Sequence, residues 1–139
     1  MGFKKVFLDT NVVLDMLDSS RQDRDDAKAL WKKLISDKCS IVISEDMLST
    51  IFYIHKDKRK TLEFFKIVYK RWIVSVFGKD VIKNAIELSL EENLDLEDVL
   101  QCLCAKENGC DVLITNDKNF YDCGIKIVTI KEYLFSKTI

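Results

Sequence analysis

The sequence predicts an α/β fold: a three-layer α/β/α sandwich around a mostly parallel sheet of about five strands. The main observation is that short apolar runs rich in β-branched residues alternate along the chain with longer segments of helical periodicity. The 139 residues contain no proline and only four glycines, so no linker divides them, and 47% of them are hydrophobic, which is enough for one core. We therefore expect residues 1–139 to form a single domain.

Five apolar runs are predicted to be strands because they are short and rich in valine and isoleucine. They span residues 6–8, 41–43, 73–76, 112–114 and 127–128. The segments between them have the period of an amphipathic helix, most clearly at Ala27, Leu30, Trp31, Leu34 and Ile35. Further helices are expected over 47–55, 62–69, 81–90 and 96–108. Ser44 and Asp95 are suitable N-caps, and Asn108-Gly109 is a suitable helix stop.

Right-handed crossovers place helices on both faces of such a sheet, and if the strand order is 3-2-1-4-5, the first and fourth strands are central neighbours. In such sheets the working site lies outside the carboxyl ends of the strands, where the order reverses. The first strand ends at Asp9, and the fourth leads through the stretch VLITND to Asp117. We therefore expect these two acids to converge. The alternative for Asp9 is an ordinary helix cap, after which Thr10 or Asn11 begins a helix.

A third candidate acid, Asp98, lies in the predicted helix that follows Leu94. The predicted core stripe of this helix is Leu96, Val99, Leu100 and Leu103, and the adjoining stripe is Asp95, Asp98, Cys102 and Ala105. The small residues of the adjoining stripe suggest that it also packs against protein, which would direct Asp98 inward. Glu97 falls with Gln101 and Asn108 on the outer side, so it ranks below Asp98. The alternative is that Asp95 and Asp98 only cap the helix and complement its dipole.

Three carboxylates around one crevice, with Lys118 as the only basic residue directly beside any of them in sequence, would repel one another and raise at least one pKa. A hard divalent cation, Mg²⁺ or Mn²⁺, resolves this repulsion, because it prefers oxygen ligands and joins carboxylates to a substrate phosphate. The chemistry indicated is metal-assisted hydrolysis of a phosphate ester. Two other acidic motifs do not fit: an EF-hand would need glycine where Leu14 or Asp122 stands, and a haloacid-dehalogenase-type phosphatase would need an aspartate at Asn11.

These residues resemble the PIN domain, the fold of many small prokaryotic ribonucleases that include VapC-type toxins. The resemblance is carried by FLDTNVVLD near the start, by LEDVLQCLCAKENGCDVLITNDKNF in the C-terminal half, and by the overall length. It implies a metal-dependent endonuclease acting on RNA, with Asp9, Asp98 and Asp117 at the family's acidic positions. The implied supporting groups are Asn11, Thr115 and Asn116. The resemblance also implies a toxin–antitoxin pair, with a cognate antitoxin as partner, and a homodimer.

One position departs from the family's pattern. The family usually places a further acid in the helix after the second strand, and here Thr50 occupies that position. Asp46 lies one turn earlier on the same face and is the candidate substitute, acting directly or through a water; its simpler role is to supply negative charge at the helix N-terminus. The alternative function is therefore a catalytically weak or inactive module that binds RNA or protein.

Composition sets the remaining expectations. The net charge is −1, so any nucleic-acid contact must be local; a basic cluster runs from Lys56 to Arg71, and a solvated helix face is its preferred interpretation over a phosphate-binding surface. No apolar run is long enough for a membrane span, and we expect a cytoplasmic protein. The five cysteines form no C-x-x-C pair, which favours reduced, buried thiols over disulfides or zinc. The tryptophans and phenylalanines at 31, 64, 65 and 72, with Tyr69, are expected in the core or an interface.

Overall fold

The structure, a computed structural model, describes residues 4–135; the ends of the predicted domain, residues 1–3 and 136–139, lie outside this range. Its centre is a five-stranded sheet in the order β3-β2-β1-β4-β5, in which every pair of neighbouring strands is parallel. The strands are β1 (Lys5–Leu8), β2 (Ser40–Ser44), β3 (Ile73–Ser75), β4 (Val112–Ile114) and β5 (Lys126–Val128). The predicted fold class and strand order are confirmed.

Strand β1 lies at the middle of the sheet. Phe7 is in register with Val42 of β2 on one side and with Leu113 of β4 on the other. All three of these side chains are fully buried, as expected of a parallel sheet that is covered on both faces. The residues that follow β1 and β4 are therefore neighbours at the carboxyl edge of the sheet.

Seven helices surround the sheet in the described part of the chain. They are α1 (Thr10–Leu17), α2 (Arg24–Ser36), α3 (Asp46–Ile54), α4 (Lys58–Arg71), α5 (Gly78–Glu92), α6 (Leu96–Glu107) and α7 (Ile130–Leu134). The crossovers from β1 to β2 and from β2 to β3 run in one direction across the sheet, whereas the crossover through α5 and α6 returns to β4. Right-handed connections therefore place α1 to α4 on one face and α5 and α6 on the other.

Local sequence signals fix several helix ends. Asp95 is the N-cap of α6, and its carboxylate accepts a hydrogen bond from the backbone N–H of Asp98 at 3.2 Å. Ser44 acts just before α3, where its hydroxyl accepts from the N–H of Met47 at 3.3 Å. Asn108 is the C-cap of α6, and Gly109 follows with a φ of +68°, a left-handed conformation that glycine adopts without strain.

The predicted faces of α6 are wrong in part. Leu96 is 43% exposed, while Gln101, which was expected on the outer side, is fully buried. The deeply buried positions of the helix are Val99, Gln101, Cys102, Cys104 and Ala105. Small side chains therefore occupy much of the buried face, at Cys102, Cys104 and Ala105, whereas Leu100 and Leu103 are only half-buried and Leu96 is exposed.

The prediction that all five cysteines are reduced is also wrong. Cys102 of α6 forms a disulfide with Cys123, in the segment between β4 and β5. Cys104 and Cys110 are buried thiols, as expected, and burial raises the pKa of Cys110 to about 12. The pairing follows from tertiary structure, because the two half-cystines are 21 residues apart in the sequence.

The aromatic prediction is confirmed for the residues around Trp31. Trp31, Phe64 and Trp72 pack edge to face, with ring centroids 5.6 to 6.1 Å apart, whereas Tyr69 is 58% exposed. The basic side chains of α4 are exposed, as a solvated helix face requires. Over residues 4–135, none of the helices has the length and apolar character that crossing a membrane would require.

Candidate active site

Asp9 stands where β1 passes into α1, and it is 6% exposed. It caps α1, since its Oδ1 accepts from the N–H of Thr10 at 2.9 Å. Its Oδ2 accepts from the hydroxyl of Thr115 at 2.8 Å and from the side-chain amide of Asn11 at 3.1 Å. The same carboxylate therefore caps α1 and binds the residue that follows β4.

The end of β4 supplies the second side of the site. The hydroxyl of Thr115, which donates to Asp9, accepts from the N–H of Asp117 at 3.1 Å. Asn116 donates its N–H to Asn11 Oδ1 at 3.4 Å and accepts at its side-chain oxygen from the N–H of Ile130 at 3.2 Å. The three predicted supporting residues thus form one network that fixes β4 to the start of α1. Asp117 itself is exposed, and its Oδ1 accepts from the N–H of Asn119 at 2.9 Å.

The first turn of α6 forms the third side. Asp98 is half-buried there, and Glu97 beside it is more exposed. Within residues 4–135, neither carboxylate accepts a hydrogen bond or forms a salt bridge. Their oxygens are therefore available to a ligand, whereas those of Asp9 are partly engaged.

The pKa shifts show that these acids act on one another. Burial and then the charges of Asp95, Asp9, Asp117 and Glu97 raise the pKa of Asp98 to about 7. Burial is also the main cause of the raised pKa of Asp9, to which the charge of Asp117 adds and which the hydrogen bonds from Thr115, Thr10 and Asn11 oppose. None of the charged neighbours that shift these two pKa values is basic.

Glu97 belongs to the same group. Burial and then the charges of Asp9, Asp95 and Asp46 raise its pKa. We call Asp9, Glu97, Asp98 and Asp117 the acidic cluster. The greater exposure of Glu97 agrees with the lower rank that the helical spacing gives it, yet the charge of Asp9 still acts on its carboxyl group.

The acidic cluster fits a hydrated divalent cation. Within the described chain, no three acidic, histidine or cysteine side chains lie close enough together to enclose an ion on their own. Mg²⁺ does not need such a cage, because it keeps several waters and is commonly held by one or two carboxylates. The donors are all carboxylate oxygens, and their mutual repulsion is what a cation would relieve.

Helix α3 reaches the edge of this region. Asp46 is exposed in its first turn, and its charge contributes to the raised pKa of Glu97. Thr50 lies one turn further along and is half-buried. A cavity of about 550 Å³ lined in part by Asp46 and another of about 410 Å³ lined in part by Asp117 open at this edge of the sheet.

Sequence reasoning missed two residues near the site. Asp15 is 4% exposed on α1, one turn after Asn11, and forms a salt bridge with Arg21 at 2.6 Å. Burial raises the pKa of Asp15, and hydrogen bonds from Arg21 and from Asn116 oppose the shift. Gln101 lies one turn after Glu97 and Asp98, and neither polar atom of its buried side chain has a partner within residues 4–135. The sequence could have indicated Asp15, because it lies one turn after Asn11 on the same face of α1. No local pattern indicates that Gln101 is buried.

The fold and the site define a class of protein: parallel α/β proteins with a cluster of acids at the carboxyl edge of the central strands. The chain belongs to the PIN domain family, whose model matches residues 6–126. It is 35% identical over 137 residues to Ribonuclease VapC1 of Aquifex aeolicus (strain VF5), a match that covers 96% of this chain and 95% of that protein.

Solved structures share the fold at low sequence identity. The crystal structure of Mycobacterium tuberculosis VapC20, a sarcin-ricin loop cleaving toxin, has a TM-score of 0.70 at 16% identity and covers 86% of this chain and 95% of its own. A toxin–antitoxin complex from Klebsiella pneumoniae contains a chain with a TM-score of 0.69 at 18% identity, covering 90% of this chain and 97% of its own.

Proposed function

We propose that this protein is a divalent-metal-dependent endoribonuclease that hydrolyses RNA phosphodiester bonds. The family and the 35% identity to Ribonuclease VapC1 support the activity. Asp9, Asp98 and Asp117 are the proposed metal ligands and catalytic residues, and the proposed ion is Mg²⁺ or Mn²⁺. Glu97 is a further ligand candidate, direct or through a water.

The observation that carries this proposal is the uncompensated negative charge of the acidic cluster. The pKa of Asp98 is raised to about 7, and every charge that contributes to the shift is acidic. A structural ion pair would supply an arginine or lysine here, as Arg21 does for Asp15. In a site that binds a cation, the position beside the carboxylates has no such basic side chain.

The protein's own side chains prepare the site. Thr115 and Asn11 hold Oδ2 of Asp9, and the N–H of Asn119 holds one oxygen of Asp117, so both carboxylates keep fixed directions. A divalent cation held by Asp9, Asp98 and Asp117 would supply a water of lowered pKa and would stabilise the charge on a phosphate. The supporting network keeps the carboxylates from rotating away, so they would hold such a water in a fixed direction.

The experiment is cleavage of fluorescently labelled RNA, with DNA of the same sequence as comparison. We expect cleavage of RNA with Mn²⁺ and none after chelation. Asp9→Asn and Asp117→Asn should each lose more activity than the about 10- to 100-fold typical of outer-shell partners. Asp37→Asn is the matched control, because Asp37 follows α2 at the opposite edge of the sheet.

Two results would reject the enzyme. Cleavage that persists in both site variants, or that ignores chelation, would come from a contaminant. A pure protein that binds RNA without cutting it would favour the alternative, a module that lost activity with the family's acid at Thr50.

A protein partner is part of the same proposal. Helices α3 and α4 leave large apolar side chains exposed, at Phe52, Tyr53, Ile54, Leu62, Ile67 and Tyr69. Apolar surface of this kind marks an interaction site, and we propose that a cognate antitoxin or a second copy of the chain covers it. Light scattering of the purified protein tests the homodimer, and co-expression with a small neighbouring gene, followed by the RNA assay, tests the antitoxin.

A further inference from the structure

The Cys102–Cys123 disulfide joins the two elements that carry Asp98 and Asp117. Cys102 lies on α6, one turn after Asp98. Cys123 lies in the segment 115–125, here called the Asp117 loop, which connects β4 to β5. The two Cα atoms are 6.1 Å apart. A covalent bridge therefore links one side of the acidic cluster to the other.

Few other interactions tie this loop to α6. The ammonium group of Lys106, one turn after Cys102, donates to the carbonyl of Cys123 at 3.1 Å, from an exposed position. The other hydrogen bonds that residues 117–124 make within the described chain stay inside the Asp117 loop. Phe120 anchors the loop by packing in the core. The disulfide is thus the strongest connection between the loop and the helix.

We propose that this disulfide is a positioning element of the metal site. In the oxidised protein it holds α6 and the Asp117 loop at the spacing that lets Asp98 and Asp117 share one divalent cation; reduction frees the loop and weakens metal binding. The inference rests on the proposed function, in which both acids are metal ligands. Contacts that orient ligands typically change metal affinity by about 10- to 100-fold, and we expect about 10-fold here.

The redox step is an ordinary thiol–disulfide exchange with a dithiol. Cys102 is fully buried and Cys123 is only half-buried, so the reductant thiolate attacks Sγ of Cys123. The S–S bond breaks, and Cys102 leaves as a thiolate and takes up a proton. The second thiol of the reductant then displaces Cys123 from the mixed disulfide. The protein gains two electrons and two protons, and the dithiol becomes a disulfide.

The test compares the full chain in two redox states. One sample is oxidised with glutathione disulfide, and the other is reduced with dithiothreitol, which is then removed under argon. Thiol titration in denaturant should find three thiols in the first and five in the second, since the chain has five cysteines and the bridge uses two. Mn²⁺ affinity is measured from the electron paramagnetic resonance signal of the free ion, well below the melting temperature, and RNA cleavage is measured in parallel.

Two variants sharpen the comparison. Cys102→Ser/Cys123→Ser should bind Mn²⁺ as weakly as the reduced protein in both conditions. Cys104→Ala removes a buried thiol from the same helix without touching the bridge, so it should lose stability and yet respond to oxidation as the wild type does. Should the double variant fail to fold, chemical reduction of the wild type still gives the answer.

The outcomes separate this inference from the proposed function. Equal Mn²⁺ affinity in the two states of the folded protein would overturn the positioning role and leave the nuclease intact, because a purely stabilising disulfide changes the melting temperature alone. Five titratable thiols after oxidation would also overturn it. Failure of both states to bind Mn²⁺ would overturn the inference together with the metal site.

Discussion

Thr115 links two members of the acidic cluster through a single hydroxyl group, which donates to Asp9 at 2.8 Å and accepts from the N–H of Asp117 at 3.1 Å. Thr115→Val keeps the shape and removes both bonds. We expect Mn²⁺ affinity to fall by about 10-fold, as for other outer-shell partners, and the free energy of unfolding to fall by about 1–2 kcal/mol. The pKa of Asp9 should rise further, because the lost bond favoured its charged form. Calorimetric titration with Mn²⁺ measures the effect.

The control for this variant is Thr61→Val. Thr61 is also fully buried, and its hydroxyl bonds to His55 at 2.8 Å and to the carbonyl of Asp57 at 2.9 Å, at the junction of α3 and α4. This variant should lose stability and keep its affinity for Mn²⁺. Equal loss of affinity in both variants would mean that Thr115 acts only through stability.

The side-chain amide of Gln101 is fully buried and has no partner within residues 4–135, and such a group lowers the stability of the fold. Gln101→Met keeps the approximate volume and removes the buried polar atoms. We expect the free energy of unfolding to rise by about 1–2 kcal/mol, the desolvation cost of an unpaired group. Urea denaturation measures it. Gln22→Met, at an exposed position, should change stability by less than about 0.5 kcal/mol. An unchanged or lower stability of Gln101→Met would show that a buried water satisfies the amide.

Single residues differ in how far the sequence predicts them. Asp9 and Asp117 follow apolar strands, and their place at the ends of β1 and β4 depends only on strand order, so their convergence could be predicted. The pairing of Cys102 with Cys123 depends on how closely α6 approaches the Asp117 loop, and no local pattern encodes that distance.

At the scale of elements, the strands were easier to predict than the helix faces. A strand of β-branched residues is recognisable from composition alone, and β4 begins and ends where predicted. The buried face of α6 does not follow from hydrophobicity alone. The small side chains of Cys102 and Ala105 are fully buried, whereas the larger side chain of Leu96 is 43% exposed. Helix α7 was missed because it has only five residues, although the capping box of Thr129 and Glu132 marks its start.

Helix α3 offers a test of the position where the family usually has an acid. Thr50→Glu adds a carboxylate one turn after Asp46, at the edge of the acidic cluster. We expect Mn²⁺ affinity to rise by about 10-fold, since one more charge near a partly hydrated divalent ion is worth on the order of 1–4 kcal/mol. Isothermal calorimetry measures the change, and Ser49→Glu, which adds the same charge at an exposed neighbouring position, should have a smaller effect.

Asp46→Asn completes that comparison. If Asp46 substitutes for the missing acid, its loss lowers Mn²⁺ affinity in the wild type and matters less once Thr50→Glu is present, so the two changes are not additive. Additive effects would assign Asp46 only its role at the N-terminus of α3.

For the whole molecule, charge is balanced in number and unbalanced in space. The chain has 22 basic and 23 acidic side chains, yet the fold gathers acids at one edge of the sheet and basic residues along α4. The pKa values of Asp9, Glu97 and Asp98 are all raised in the folded protein. The folded state therefore holds these protons more tightly than the unfolded state, and stability falls as pH rises from the ordinary pKa values of these groups, 3.8–4.5, to the raised pKa of Asp98, about 7.

This fall of stability with rising pH predicts how a metal ion and pH act together on the fold. Without metal, the melting temperature should fall as pH rises from 5 to 8, and Asp98→Asn should flatten the slope, because the variant lacks the group with a pKa of about 7. Mn²⁺ at about 100 times its Kd should then restore about 2.7 kcal/mol at pH 8 and much less at pH 5, where protons occupy the cluster. Differential scanning fluorimetry measures both, with NaCl at matched ionic strength to account for screening and Asp37→Asn as the control. Stabilisation by Mn²⁺ that is equal at the two pH values, or equal in Asp98→Asn, would mean that the ion binds elsewhere, since only a site made of these acids must release their protons to accept it.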